Sequence, residues 1–126
     1  MQNDNDFSAV QAVLQDYFEG LYCSDADRLA LAFHPCAHYV SVTDGTLTYR
    51  ALGEYLRVVR TRPSPASRGE RRRDRIVSIE FAGARTAIAR VECSIAEKFF
   101  SDLLTLIFID QRWQIISKVF HYDILS

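Results

Sequence analysis

Lys98-Phe99-Phe100-Ser101-Asp102-Leu103-Leu104-Thr105-Leu106-Ile107-Phe108-Ile109 is the stretch on which the fold turns. Read as a strand, it puts Phe99, Leu103, Ile107 and Ile109 on one face and Phe100, Leu104, Leu106 and Phe108 on the other. A strand with one wet face alternates apolar and polar residues, whereas this one is apolar on both sides. One face can meet helices. The other needs a second cover, and a two-fold partner chain is the simplest one. A homodimer through the sheet is the expectation.

Working outward, residues 75–81, 85–96 and 113–122 are alternating or apolar runs rich in β-branched residues, the mark of strands. Ala82-Gly83-Ala84 and Asp110-Gln111-Arg112 supply the turns between them. At the other end of the chain the period is helical: Phe7, Val10, Val13, Leu14, Tyr17, Phe18, Leu21 and Tyr22 recur at steps of three and four. Ser24-Asp25 offers a cap for a shorter helix carrying Leu29, Leu31 and Phe33, which Pro35 stops. Residues 38–43 and 46–50 read as a hairpin around Asp44-Gly45, and Leu52, Tyr55, Leu56 and Val59 line one side of a third helix over 52–60. Arg62-Pro63-Ser64-Pro65 then reads as an extended loop. The order is α-α-β-β-α-β-β-β-β, one domain over residues 1–126, with helices gathered on one face of a curved antiparallel sheet.

Composition narrows the function. A chain of 126 residues, 48% apolar and 25% charged, is neither disordered nor low in complexity. A net charge of −1 argues against a general nucleic-acid binder. The polar, acidic opening Met1-Gln2-Asn3-Asp4 lacks the basic start and apolar stretch of a secretory signal, so a soluble cytoplasmic protein without membrane contact is expected. Cys23, Cys36 and Cys93 are odd in number and irregularly spaced, and are read as small buried hydrophobes. His34, Cys36 and His38 alternate as strand metal ligands would, but closely spaced ligands on one strand rarely converge on a tetrahedral ion. No metal or cofactor is assigned.

Several segments together resemble a known superfamily, the nuclear transport factor 2-like or ketosteroid-isomerase-like cone fold. They are the long first helix, Ser24-Asp25-Ala26-Asp27, Ala32-Phe33-His34-Pro35 and Trp113-Gln114-Ile115-Ile116. Phe33-His34-Pro35, Arg62-Pro63-Ser64-Pro65, Phe100-Ser101-Asp102 and Lys118-Val119-Phe120-His121 are similar to its branch labelled "putative lumazine-binding". The resemblance implies a cone-shaped α+β barrel in which a bent sheet wraps the helices around a mostly apolar pocket. It also implies dimers through the sheet, and activities ranging from isomerases, dehydratases and cyclases to pure binding proteins.

By that resemblance Tyr17 falls where the steroid isomerases place a phenol that donates to a developing oxyanion; otherwise it is a core aromatic. The isomerases' general base falls at Ser41, whose hydroxyl cannot take a proton from carbon unaided, so steroid-isomerase chemistry is not expected. Asp102 shares a strand face with Phe100, Leu104, Leu106 and Phe108. It is either a pocket acid with a raised pKa or an interface group bonded to Lys118, an arginine or a backbone amide. His121 and His38 could work with Asp102, as the family's dehydratases use a His–Asp pair; the alternative is histidines satisfied at strand positions.

Residues 57–75 hold Arg57, Arg60, Arg62, Arg68, Arg71, Arg72, Arg73 and Arg75 against Glu70 and Asp74, while residues 1–56 carry a net −6. The segment is either an anion-binding loop or a solvated one that pairs with the acidic first half. It has no interleaved aromatics between Arg60 and Arg75 on which bases could stack. Three functions follow. The first is binding of an apolar or aromatic small molecule, with Tyr17, His38 and Asp102 supplying polar contacts. The second is an isomerase, dehydratase or cyclase with Asp102 and His121 as catalytic groups and Tyr17 as donor. The third is a protein-interaction module using the arginine segment.

Overall fold

The apolar residues at helical spacing near the start of the chain form helix α1 (Asp4–Cys23) in this computed structural model, which describes residues 4–125. Val10, Leu14, Tyr17, Phe18 and Leu21 are its buried stripe. Helix α2 (Ala26–Ala32) follows at once, capped by Asp25, whose carboxylate accepts the Arg28 backbone N–H at 3.1 Å. The two helices approach closely because Gly20 has no side chain: a Cβ there would stand 2.9 Å from Leu29 Cβ.

Helix α2 ends earlier than the proline alone implies. Phe33 is already extended, with φ −108° and ψ 146°, and strand β1 (Phe33–Ser41) runs through Pro35. Proline disfavours helix in the residue before it, and here that restriction is met by starting a strand. After the loop around Gly45, whose φ is +86°, strand β2 (Thr48–Ala51) returns beside β1. Helix α3 (Leu52–Thr61) buries Tyr55, Leu56 and Val59, and a single 3-10 turn, Ala66–Arg68, directly follows the segment 62–65 read as loop. Strands β3 (Arg75–Phe81), β4 (Thr86–Ile95), β5 (Lys98–Ile109) and β6 (Arg112–Ile124) complete the chain.

The class is α+β with the expected element order. The six strands lie in the order β2-β1-β6-β5-β4-β3, so β2 and β3 are free edges and the sheet is open. It is also mixed rather than wholly antiparallel: β1 and β6 run parallel, while the other neighbours are antiparallel. The last strand is inserted between the first and the fifth, a crossover that local periodicity does not encode. The core lies between the helices and the inner face of the sheet, where Ala87, Ala89, Val91, Leu104, Leu106, Trp113 and Ile115 are buried.

One irregularity in β6 decides which residues reach that core. Leu106 is paired with Ile115 and Thr105 with Ser117, which leaves Ile116 as an extra residue. Such a bulge reverses the alternation of the strand beyond it. Trp113 and Ile115 point inward before it; Lys118 and Phe120 do so after it. Among the described residues no helix is long and apolar enough to cross a membrane.

Candidate functional site

The bulge, together with the β5 register, brings a carboxylate, an ammonium and two phenols into the apolar interior. Asp102 on β5 faces inward between Val91 of β4 and Phe120 of β6 and is fully buried. Tyr17, on the buried stripe of α1, donates its hydroxyl to Asp102 Oδ2 at 2.5 Å. The second oxygen, Oδ1, is buried without a hydrogen-bond partner. Lys118 is diagonal to Asp102, paired with Leu104, and donates to the Tyr55 hydroxyl at 3.2 Å. Its ammonium lies 4.9–5.3 Å from the ring centroids of Tyr17, Tyr39, Tyr55 and Phe120, an aromatic cage that favours a cation.

Burial and charge oppose each other at each of these groups. Burial raises the Asp102 pKa above its ordinary value, and the Lys118 ammonium and Tyr17 hydrogen bond pull only part of the way back. For Lys118 burial favours the neutral amine, but the fields of Tyr55 and Asp102 prevail and hold its pKa above the usual lysine value. Tyr17 is pushed well up by burial and by Asp102; Tyr55 is raised by burial against the pull of Lys118. Cys93 is buried on the same face, and burial followed by Asp102 raises its thiol, so it is not a thiolate nucleophile near neutral pH. The interior can therefore offer a charged ammonium and an acid that holds its proton more tightly than an exposed carboxylate.

Access comes from one end of the cone. A crevice of about 10 Å³, room for about one water, is walled by Tyr39, Tyr55, Cys93, Phe100 and Lys118. It shares Tyr39, Arg62, Ile95 and Phe100 with a mouth of about 390 Å³ bounded by Arg50, Phe120, Tyr122 and the β4–β5 turn. Glu70 secures this end: it accepts the Ala96 backbone N–H at 2.9 Å, pairs with Arg68 at 3.3 Å, and its carbonyl accepts the Tyr22 hydroxyl at 2.6 Å.

Of the residues singled out from sequence, Tyr17 and Asp102 meet and the histidines stay apart from them. Asp102 is opposite Phe120 and Ser101 is opposite His121, so His121 projects from the outer face of the sheet. There it pairs with Asp123 at 2.9 Å and contacts Thr43 at 3.2 Å. Counting alternation from Trp113 would have placed His121 inside; the bulge at Ile116 reverses it. The Asp102–His121 acid–base pair is therefore not assembled. His38 pairs with outward Ser117 and stacks on Tyr49 at 5.7 Å, also outside. His34 Nδ1 accepts the Cys36 backbone N–H at 3.0 Å, and among the described residues no cluster of three or more potential metal ligands occurs. Cys93 is buried as expected, whereas Cys23 and Cys36 are exposed.

Lys118 enters the sequence reading only as a possible interface partner of Asp102 and Tyr55 only as a helix-face residue, while Tyr39 is not named there. The signal for Lys118 was a lone lysine in an apolar strand, but its direction depends on the bulge. Half of the segment's eight arginines are held by acids: Arg60 meets Asp27 at 3.3 Å, Arg68 meets Glu70 at 3.3 Å, Arg72 meets Glu19 at 2.7 Å and Asp74 at 2.6 Å, and Arg75 meets Glu92 at 3.2 Å.

Comparison with known proteins places this geometry in a family. The family model described as "Putative lumazine-binding" matches residues 5–121. A nuclear transport factor 2-like protein of unknown function from Shewanella baltica is 24% identical over 98% of both chains, with a TM-score of 0.87. One from Methylobacillus flagellatus is 26% identical over 97% of this chain and 95% of its own, with a TM-score of 0.84. A ketosteroid isomerase-like protein from Erwinia carotovora is 10% identical over 95% and 98%, with a TM-score of 0.72, a likeness of fold alone. No curated protein matches significantly. From helix packing to strand order and matched residues, the chain belongs to the "Putative lumazine-binding" family of the nuclear transport factor 2-like superfamily.

Proposed function

We propose that the chain binds a small aromatic molecule in the mouth of the cone, with the Lys118, Tyr55, Asp102 and Tyr17 group as the polar floor beneath it. The observation that carries this is the mouth itself. A cavity of about 390 Å³ falls in the size range of small-molecule sites, has aromatic walls, and shares four residues with the crevice over Lys118. The single hydrogen bond of Lys118, which lines the crevice, leaves polar capacity that a ligand atom or a water can use. Family membership supports the same reading.

The test is a thermal-shift screen of flat aromatic compounds against the wild type and Ile95→Trp, which fills the space shared by mouth and crevice. Compounds that raise the wild-type Tm and leave the plugged variant unmoved support the reading. A screen in which nothing stabilises the wild type, or in which both proteins respond alike, removes it.

The outer face of the sheet favours a second copy of the chain as its cover. Leu103 and Val119 are opposite each other there and are 46% and 43% exposed, with Ile88 40% exposed nearby. The same face carries Arg90 and Asp123, which a two-fold axis can set against each other.

A further inference from the structure

Two of the arginines around the mouth, Arg50 and Arg62, differ from the third, Arg68, and from those further off. Arg60, Arg68, Arg72 and Arg75 each have a carboxylate within 3.3 Å. Among the described residues, Arg50 on β2 and Arg62 just after α3 have none, and in each the Nε is buried without a hydrogen-bond partner. Both border the mouth, as does Lys98, whose ammonium lies 4.6 Å from the Tyr122 ring centroid and has no acid within ion-pair distance among the described residues. The acids near them are exposed Glu97 on the mouth, Asp44 in the adjoining recess beside Arg50, and Glu70, which is taken by Arg68 and the Ala96 amide; none is paired with the three cations. Positive charge therefore exceeds negative at the rim of an aromatic-walled cavity.

An unpartnered guanidinium N–H in a wall is costly to leave unmade, and carboxylates and phosphates satisfy it through short charge-assisted bonds. A neutral ligand filling the same space would meet those N–H groups, already out of reach of water, only with weaker uncharged acceptors. The flat rings of Tyr39, Phe100 and Phe120 provide the complementary surface for an aromatic body.

We propose that the ligand of the mouth is a flat aromatic anion, its carboxylate or phosphate paired with Arg50 and Arg62 and its ring against Tyr39, Phe100 and Phe120. This rests on the small-molecule reading above and adds the charge of the ligand. The two can fail separately.

The experiment is calorimetric titration of the full chain with naphthoate and with naphthamide, which share ring and shape and differ in charge. Naphthoate is expected to bind about tenfold or more tightly than naphthamide, the size of one charge-assisted bond, and less tightly as salt rises. Arg50→Gln and Arg62→Gln should each erase most of that preference. Arg71→Gln, an exposed arginine outside the mouth, removes the same charge and should keep it. Because Arg50 lies on an edge strand and Arg62 after a helix, a folding defect in one leaves the other to report. Equal affinity for the two compounds, or a preference that survives both mouth variants, overturns the anion and leaves the pocket. Binding of neither compound overturns the pocket and the anion together.

Discussion

Asp102 and Lys118 stand on the same inner face of adjacent strands, two register pairs apart, and do not form a contact ion pair. Each has taken a neighbouring phenol instead: Tyr17 donates to Asp102, and Lys118 donates to Tyr55. The coupling between them is through space, with Lys118 lowering the pKa of Asp102 and Asp102 raising that of Lys118.

That arrangement makes the two single substitutions unequal. Lys118→Met leaves an acid that can take up a proton and bury itself neutral, and its pKa rises further than in the wild type. Asp102→Asn leaves an ammonium among rings without the carboxylate that acts on it through space, and so an uncompensated buried charge. Denaturant unfolding at neutral pH should rank Asp102→Asn as the more damaging. Carboxyl-carbon NMR of Lys118→Met should show Asp102 titrating higher, and an unmoved midpoint would mean the two groups are not coupled.

Tyr17→Phe deletes a single oxygen and with it the one hydrogen bond made by the Asp102 side chain, since Oδ1 already has none. A buried acceptor stripped of its donor costs about 1–3 kcal/mol. The same change should raise the Asp102 pKa, because the Tyr17 bond is one of the influences lowering it. Loss of stability without movement of the Asp102 titration would show that Tyr17 acts by packing alone.

How far the sequence discloses this site is set by strand parity. Asp102 and Tyr17 are legible because each sits on an uninterrupted periodic face: Asp102 with Leu104 and Leu106 on β5, Tyr17 with Val10 and Leu14 on α1. The helices, the β3–β6 strands and the α+β class follow from the same local periods. The parallel pairing of β1 with β6 is a long-range choice with no local signature, and it carries His38 to the outer face beside Ser117. The bulge at Ile116 has no marker such as glycine or proline, so alternation along β6 misplaces Lys118 and His121 together. One extra residue thus exchanges a histidine for a lysine beneath the pocket.

The pH dependence of stability should show its main loss on the alkaline side. Cys93, Tyr17, Tyr55 and Lys118 all have folded pKa values above their ordinary ones of 9.0, 10.0, 10.0 and 10.5. The unfolded chain therefore releases protons that the folded chain retains, so their contribution is complete below about pH 9 and is lost as pH rises beyond it. Each group adds a slope of up to about 1.4 kcal/mol per pH unit. Asp102, also raised, acts in the same sense just above its ordinary 3.8 and gives no protection lost in acid. Urea midpoints from pH 7 to 11 should fall, and Cys93→Ala should remove the earliest part of the fall. A flat profile would contradict the burial of these groups.

Glu70 is the clearest test of what holds the mouth in shape. Its carboxylate ties the Ala96 amide and Arg68 together while its carbonyl takes the Tyr22 hydroxyl, so one residue joins α1, the arginine segment and the β4–β5 turn. Ala96 has φ +55°, a conformation a non-glycine residue keeps only when its surroundings hold it. Glu70→Gln retains an acceptor for the Ala96 amide and loses mainly the Arg68 pairing, which is half-exposed and adds little. Glu70→Ala removes the acceptor as well and should cost about 1–3 kcal/mol. Hydrogen exchange should then quicken at Ala96 and across residues 66–74 while the centres of β5 and β6 stay protected. If Glu70→Gln were as disruptive as Glu70→Ala, charge rather than the amide hydrogen bond would be holding the turn.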